Sequence, residues 1–275
     1  MGSGFWRKQR LRALLLILFA APPVACAQAA PVVEAETGGN GSLPARAALD
    51  AMVRALGGQA WLDVRLRMRQ GSEATFFQGN PSGSMTVFRA YHAWPDKDCI
   101  EYGKRRDVVH DYLGRAGWEV TYKGKTALAQ DQVDAFLRHR DHSLETVVRL
   151  WLHNPRTLLF YEGPHLAERH LAEQVTAVSS DSQTVSILID SVTHLPLRVS
   201  YQWRDRIYKD QDTETEEYDD YHTIDGIETP LILTFYKNGT ITRQEFLDHV
   251  EYNGKAPPDL WSVEAAMRRI QKKRK

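Results

Sequence analysis

Residues 213–252 read TETEEYDDYHTIDGIETPLILTFYKNGTITRQEFLDHVEY, and this stretch decides the fold. Apolar and polar side chains alternate along most of it, as they do in strands with one buried face. Asp225-Gly226 and Asn238-Gly239 interrupt the alternation, and such pairs between alternating runs are the strongest short signal for a β-hairpin. The stretch therefore predicts three consecutive antiparallel strands, over 213–223, 228–237 and 240–252.

Strand-like runs continue on the N-terminal side of this meander, at a spacing of about 8–12 residues that is typical of an all-β sheet rather than of βαβ units. In residues 64–69, for example, Val64, Leu66 and Met68 alternate with three arginines. This alternation places Arg65, Arg67 and Arg69 on a polar face. The predicted strands are 64–69, 73–78, 84–91, 98–103, 106–113, 117–123, 173–179, 184–190 and 196–204.

Helical spacing of apolar residues occurs in three other places. Leu49, Met52 and Leu56 recur every three or four residues before Gly57-Gly58, which is suited to end a helix. Residues 126–152 predict one or two amphipathic helices, and 259–270 predict a last short one. A sheet must bury one face, and only helices are available to cover it. The sequence thus predicts an α+β fold in which a curved, mostly antiparallel sheet wraps around helices.

The bulk composition excludes several classes of protein. The chain has 275 residues, with 35 basic and 35 acidic side chains, 43% hydrophobic residues and two cysteines. These values do not fit a disordered chain, a collagen-like repeat, a polybasic nucleic-acid binder or a disulfide-dense secreted scaffold. We expect a globular protein that does not bind nucleic acid.

The first 29 residues have the order of a signal peptide. Four basic residues precede the apolar run Leu14–Phe19, and Ala27-Gln28-Ala29 offers a cleavage site before Ala30. The run is shorter than the roughly 20 apolar residues that span a bilayer. The sequence therefore predicts export to the periplasm.

Cleavage after Ala29 changes both the charge and the cysteine content of the chain. It removes four basic residues and no acidic ones, so the formal charge of the mature chain is −4. It also removes Cys26 and leaves Cys99 alone. Alternatively, Val24-Ala25 precede Cys26 as they would in a lipoprotein, so lipid anchoring at Cys26 remains an alternative to soluble export.

Short motifs in the mature chain resemble the exported outer-membrane lipoprotein-sorting and lipid-carrier family, which includes LolA-like and LppX-like half-barrels. The resemblance covers about 43–262, and its fragments occur in the family's order and spacing. They are Ala55-Leu56-Gly57-Gly58, Trp61-Leu62, Gly117-Trp118, Asp190 with Thr193-His194-Leu195-Pro196-Leu197, Tyr221, Asp225-Gly226-Ile227, Pro230, and Val250-Glu251-Tyr252-Asn253.

The resemblance implies an unclosed half-barrel with helices packed on its concave face as a lid, and an apolar cavity between them that holds acyl chains. Strand parity selects the candidate cavity residues Met68, Phe76, Val87, Trp118, Val120, Val199, Tyr201 and Phe235. The candidate lid residues are Val133, Phe136, Leu137, Leu144, Val147, Val148 and Trp151. The resulting domain prediction is a signal peptide over 1–29, a flexible linker over 30–42, a half-barrel over 43–262, and a basic C-terminal helix or tail over 263–275.

Residues that could carry chemistry have simpler interpretations. His139, His142 and Glu145 share helical spacing, but no second ligand pair supports a metal site, so a solvated helix flank is favoured. Cys99 is interpreted as a buried or strand-face thiol. No nucleophile elbow, P-loop or zincin spacing occurs in the sequence. We therefore predict no enzymatic activity, no cofactor and no metal.

Two segments of the chain are rich in charged residues of one sign. The acidic run is interpreted as a solvated strand edge, and it comprises Asp210, Asp212, Glu214, Glu216, Glu217, Asp219 and Asp220. The basic C-terminal end either touches an anionic membrane or complements the end of a helix, and it comprises Arg268, Arg269, Lys272, Lys273, Arg274 and Lys275.

The sequence supports two functions. The first is a periplasmic, monomeric, non-enzymatic protein that carries or senses a lipid or an acylated protein. The second is an envelope interaction module of the same fold whose cavity is filled by its own side chains. The size and the lining of the space between sheet and helices distinguish them, because ligand sites usually exceed about 300 Å³.

Overall fold

The computed structural model describes residues 43–167, 170–205 and 209–272. The predicted signal peptide with Cys26, the linker over 30–42, and Lys273, Arg274 and Lys275 lie outside these residues. No helix in the described part of the chain is long and apolar enough to cross a membrane.

Five α-helices and fourteen strands make up the described part of the chain. The helices are α1 (Leu43–Leu56), α2 (Gln59–Leu62), α3 (Gln130–Asp141), α4 (Leu144–Arg149) and α5 (Val263–Lys272), with a 3-10 turn at Trp151–His153. The strands before α3 are β1 (Leu66–Phe77), β2 (Asn80–Pro81), β3 (Thr86–Ala93), β4 (Lys97–Tyr102), β5 (Val108–Leu113), β6 (Ala116–Thr121) and β7 (Gly124–Ala127). The strands after α4 are β8 (Leu158–Ala167), β9 (His170–Val178), β10 (Thr184–Asp190), β11 (Pro196–Arg204), β12 (Gln211–Ile224), β13 (Ile227–Lys237) and β14 (Thr240–Tyr252).

The strands form one antiparallel sheet in the order β7-β6-β5-β4-β3-β1-β14-β13-β12-β11-β10-β9-β8, with β2 paired to β1 alone. The two edge strands, β7 and β8, are consecutive along the chain, and α3 and α4 lie between them in sequence. The connection between the edges therefore crosses the open side of the sheet. The sheet does not close, and the fold is the curved, unclosed α+β half-barrel predicted from the sequence.

The three-stranded meander predicted over residues 213–252 is confirmed. β12 pairs with β13 from Ile224↔Ile227 outward, and β13 pairs with β14 from Lys237↔Thr240 outward. Because β14 also pairs with β1, the last strand of the chain lies beside the first, in the middle of the sheet.

Helix α1 covers part of the concave face, the face that also carries α3 and α4. Its buried residues Leu49, Met52 and Leu56 join a cluster with Val175 and Ile187 of the sheet. The helix ends at Gly57, whose φ is +124°. A Cβ there would lie 2.6 Å from the carbonyl oxygen of Gly226, so only glycine allows α1 to end against the β12–β13 hairpin.

Helix α5 covers the opposite face, here called the outer face, over β1 and β3–β6. Val263, Ala266 and Ile270 pack there against Cys99 and Val109. The apolar side of this helix is therefore used in packing on the sheet, while Arg268 and Lys272 are exposed.

The strand predictions were wrong in three places. Residues 64–69 and 73–78 belong to one strand, β1, because Gly71 at its centre lies in a ladder rather than in a turn. The edge strands β7 and β8 were not predicted. β8 contains Gly163-Pro164, and its exposed positions include the apolar Leu158 and Phe160, so its residue types do not alternate although their burial does.

The acidic run was also misplaced. β12, which carries most of it, is not an edge strand, since it pairs with β11 on one side and β13 on the other. Its acidic side chains are balanced by basic partners from neighbouring elements, as in the pairs of Asp212 with Lys237 and Glu217 with Arg198. Local sequence could not show those partners.

Candidate functional site

A cavity of about 580 Å³ lies between the concave face and the helices α3 and α4. At one end it reaches Leu56 and Trp61, which are almost fully buried. At the other end it reaches Thr75 and Lys237, which are exposed. The cavity is thus covered by α1 and α2 at one end and opens to solvent at the other.

Aliphatic and aromatic side chains make up half of the residues that line the cavity, and polar or charged side chains make up the rest. The apolar ones include Leu56, Trp61, Ala90, Ile100, Phe136, Leu144, Val199, Tyr201, Tyr218, Tyr221, Leu233, Phe235, Leu247, Val250 and Tyr252. Such a wall can hold hydrocarbon, because removing apolar surface from water is favourable wherever the cavity excludes it.

The structure brings five of the predicted residues to this cavity. Val199, Tyr201 and Phe235 line it from the sheet, and Phe136 and Leu144 line it from the helices. Phe136 also stacks on Tyr112, with ring centroids 3.6 Å apart.

The remaining predicted sheet residues do not line this cavity. Met68 and Val120 are buried under α5, and Trp118 packs against the same cluster. Val87 pairs with Ser72 on the outer side of the ladder, and Phe76 pairs with Pro81 of β2. The face prediction was inverted for β1, β3 and β6 because it assumed that the apolar side of each strand faces inward.

The other predicted helix residues contribute to packing. Val147, Val148 and Trp151 join the cluster built around α1. Val133 lies over Gly117 of β6, where an added Cβ would come within 2.7 Å of its Cγ2 atom, and Leu137 is buried. These residues hold α3 and α4 on the sheet rather than lining the cavity.

Charged side chains form a band across the cavity, which the strand patterns did not predict. Arg67 and Arg69 were expected on a solvated face, yet both line the cavity. The Nη1 atom of Arg67 lies 2.6 Å from Oε1 of Glu145, and Nη1 of Arg69 lies 3.1 Å from Oε2 of Glu245. The polar side of β1 therefore faces inward, because α5 covers its apolar side.

These ion pairs keep buried carboxylates charged. Burial alone would raise the pKa of Glu145, but Arg67, and then His92, hold it below its usual value. Likewise burial opposes ionisation of Glu245, and the neighbouring Arg69 and Arg243 hold its pKa down. The band is thus a set of charges beside the apolar side chains of the wall.

A signal for this band existed in the sequence. Glu214 and Glu216 of β12 and Arg243 and Glu245 of β14 are each spaced by two residues, so each pair shares one face of its strand. All four line the cavity. The spacing indicates a common face, but which face is inside depends on α3, α4 and α5.

Two arginines near the end of α3 attach this helix to different parts of the sheet. Arg138 pairs with Glu214 at 3.1 Å, and its guanidinium lies 3.5 Å from the ring centroid of Trp203. On the other side of the cavity, Arg140 donates to the carbonyl oxygens of Asp96 and Gly114. The helix is thereby attached to the sheet on both sides of the cavity.

The predicted helix flank of histidines is not solvated. His139 lies 3.7 Å from Glu216, His142 stacks on Tyr201, and Glu145 binds Arg67. The three side chains thus have three separate partners. Among the residues that the structure describes, no group of three histidine, cysteine, aspartate or glutamate side chains is placed to hold a metal ion.

Cys99 is fully buried on the outer face, as predicted, and pairs with Asp111 in the β4–β5 ladder. Burial raises the pKa of this thiol, and the neighbouring Asp111 raises it further. Burial also raises the pKa of Asp111 to about 6. These groups lie beneath α5, on the face of the sheet that is turned away from the cavity.

Two crystal structures share this fold. A DUF1329 family protein from Desulfovibrio piger aligns at 12% identity with a TM-score of 0.58, over 81% of this chain and 99% of that one. A domain assigned to outer membrane lipoprotein sorting, from Vibrio parahaemolyticus, aligns at 9% identity with a TM-score of 0.52, over 81% and 99%. No protein-family model matches the sequence. Nor does any curated protein match it.

Proposed function

We propose a function that follows from the open half-barrel, a fold that this chain shares with a domain assigned to outer membrane lipoprotein sorting. We propose that the chain is an exported, non-enzymatic binding protein that carries or senses a lipophilic ligand in the cavity between the sheet and helices α3 and α4. The observation that carries this proposal is the cavity itself, about 580 Å³ with aliphatic and aromatic side chains as half of its lining residues. Small-molecule sites usually measure about 300–1,000 Å³.

The ligand is amphiphilic. Each methylene group that enters the apolar wall contributes about 0.8 kcal/mol, so an acyl chain supplies ample affinity. Hydrocarbon laid over the ion pairs of Arg67 and Arg69 would instead remove water from charged groups without replacing its hydrogen bonds, which is costly. A ligand that fills the cavity must therefore place polar atoms at the charged band.

The alternative function is an envelope interaction module whose own side chains fill the cavity. The cavity volume argues against this alternative, since it exceeds the roughly 300 Å³ that marks the lower limit of ordinary ligand sites. We also propose that the protein is not an enzyme, because the sequence contains no recognised nucleophile or nucleotide-binding motif.

Export and membrane contact complete the proposal. The signal peptide over 1–29 would deliver the mature chain to the periplasm, free or anchored at Cys26. There the exposed Arg268 and Lys272 of α5 can approach anionic lipid through charge alone, at about 1 kcal/mol for each basic residue. Because α5 buries its apolar side against the sheet, we propose peripheral contact rather than insertion.

The proposal is tested by extracting and identifying lipids from the purified mature protein, and by native mass spectrometry of the same sample. We expect a co-purifying amphiphile, or saturable binding of a hydrophobic fluorescent dye to the emptied protein. A protein that carries no lipid and binds no dye would contradict the proposal.

A variant that fills the cavity tests whether the dye or lipid binds there. Ala90 lines the cavity, so Ala90→Phe should reduce dye or lipid binding at least tenfold while the protein stays folded. The matched control is Ser72→Phe, which adds an aromatic ring on the outer side of the neighbouring strand. Equal loss of binding in both variants would contradict binding in the cavity.

A further inference from the structure

Arg243 differs from Arg67 and Arg69 of the charged band because its guanidinium makes no hydrogen bond within the part of the chain that the structure describes. It lies on β14 and lines the cavity, and 35% of its side chain is exposed. Its Nε atom is 3.4 Å from Oε1 of Glu245 but makes no hydrogen bond, and its Cζ atom lies 4.0 Å from the ring centroid of Phe235. The ring supports the guanidinium plane without using its N–H groups.

The neighbouring arginines already have hydrogen-bonded partners. Arg67 donates to Glu145 and Arg69 donates to Glu245. Glu245 is thus the ion-pair partner of two arginines, Arg69 and Arg243.

Two more carboxylates act on Arg243, and neither neutralises it by direct pairing. Burial raises the pKa of Glu73, although Arg243 opposes this rise. Glu216 has His139 as its partner, at 3.7 Å. A positive charge with unused donors therefore faces the cavity at Arg243.

We propose that Arg243 binds the anionic head group of the amphiphile, a carboxylate or a phosphate ester. This inference rests on the proposed function and adds the chemistry of the ligand's polar end. Guanidinium presents paired N–H donors that match the oxygens of either group.

The position of Arg243 along the cavity sets the orientation of the ligand. β14 begins at Thr240, which pairs with the exposed Lys237 at the open end of the cavity. Arg243 lies on the same strand, opposite Phe235. Leu247 and Val250 lie farther along β14 and line the cavity towards its covered end. The head group thus sits near the opening, and the hydrocarbon lies farther in, against apolar side chains of β11 and β13 such as Val199 and Leu233 rather than over the ion pairs of Arg67 and Arg69.

The test compares ligands that share one tail and differ at the head. Hexadecanoate, hexadecyl phosphate and hexadecanol compete with a neutral fluorescent dye for the emptied full-length mature protein, at pH 8 and below the micellar concentration of each probe. We expect at least one anionic probe to bind about tenfold or more tightly than hexadecanol, as hydrogen bonds to charged groups allow. The stronger of the two anionic probes identifies the head group as carboxylate or phosphate.

Arg243→Gln should abolish this preference while leaving the affinity for hexadecanol within about twofold, and Arg243→Lys should keep part of it. The control is Arg89→Gln, which changes an arginine bonded to Gln70 on the outer side of β3 and should leave the preference intact. Circular dichroism and thermal melting establish that each variant is folded.

The outcomes separate the two proposals. If the wild type binds all three probes equally, or if the preference survives Arg243→Gln in a folded variant, the role of Arg243 is overturned and the carrier function stands. If the wild type binds none of the probes, the carrier function fails, and the head-group site fails with it.

Discussion

At Gly71 the backbone of β14 leaves no room for a side chain on β1. The ladder between these strands shifts its register at Gln70/Gly71, and a Cβ on Gly71 would lie 2.0 Å from the carbonyl oxygen of Phe246. Because the obstructing atoms are backbone atoms of a central strand, they cannot rotate away. Glycine is therefore required here by space rather than by its φ angle.

We expect Gly71→Ala to lower the free energy of unfolding by about 2–4 kcal/mol, since the strands must separate to admit one methyl group. Urea denaturation followed by tryptophan fluorescence measures the change. The control is Gly83→Ala, where φ is +91° but nothing lies within 4 Å of the added atom, so only about 1 kcal/mol is expected. Similar losses in both variants would contradict the steric explanation.

Asp111 makes the stability of the protein depend on pH. Its pKa is raised by burial to about 6, above the value of 3.8 that it has when exposed. The folded protein therefore holds this proton more tightly than the unfolded chain. The associated stabilisation is fully present below about pH 4, is lost as the pH rises to about 6, and amounts to about 3 kcal/mol at most.

Asp111→Asn should remove this part of the pH dependence. We expect the stability of the wild type relative to the variant to fall between pH 4 and pH 7, measured by urea denaturation at each pH. Asp248→Asn, at an exposed position on β14, should leave the wild-type profile unchanged. A constant difference between wild type and Asp111→Asn would contradict the assigned pKa.

At the scale of elements, the attachment of α3 depends on few side chains. Arg140 is mostly buried, and it bonds to the carbonyl oxygens of Asp96 and Gly114 and to the carboxylate of Asp98. These bonds hold the C-terminal part of α3 to the β3–β4 and β5–β6 turns. Losing them should free the helix before it affects the sheet, because local segments can open independently of the global fold.

We expect Arg140→Met to accelerate amide hydrogen exchange over 130–141 by tenfold or more and to speed ligand release, with exchange in β12–β14 unchanged. Each lost hydrogen bond contributes about 1 kcal/mol, which sets this magnitude. Mass-spectrometric hydrogen exchange measures it. Arg115→Met, which removes an exposed pair with Asp141, is the control. Uniform acceleration across the sheet would mean that Arg140 supports the whole fold instead.

The elements differ in how well the sequence predicts them. The meander β12–β14 is evident because its hairpin pairs and alternation are local features. α1 is evident for the same reason, since Leu49, Met52 and Leu56 recur at helical spacing. β8 was missed because it is an edge strand. It contains Gly163-Pro164, which is unusual in a strand, and few of its residues are buried.

The sequence predicted a cavity between the sheet and the helices, but it did not predict the charged residues that line this cavity. Val199, Tyr201 and Phe235 line the cavity, on the face that strand parity gives them. Met68 was assigned to the wrong face because β1 is covered on both sides, by the cavity wall and by α5. The residues of α5 come almost 200 positions later, so no local pattern could show that the arginine side of β1 faces inward.

At the scale of the whole molecule, the proposed export would remove residues 1–29 from the working protein. We expect the mature protein to begin at Ala30, because signal peptidase cleaves after small residues in the order found here. Intact mass spectrometry of the periplasmic fraction measures this, and Ala29→Arg should leave the precursor uncleaved. A mature form that begins at an acylated Cys26 would contradict soluble export and support a lipid anchor.

An unclosed sheet has two strands with unpaired backbone groups, which invite other chains to add to them. Here β7 is only four residues long, and its Lys125 pairs with Glu264 of α5. β8 has a register shift between Tyr161 and Gly163, and Pro164 offers no N–H group. A second copy could not extend the ladder in regular register past these points. The half-barrel can therefore stay open without becoming the seed of a fibre.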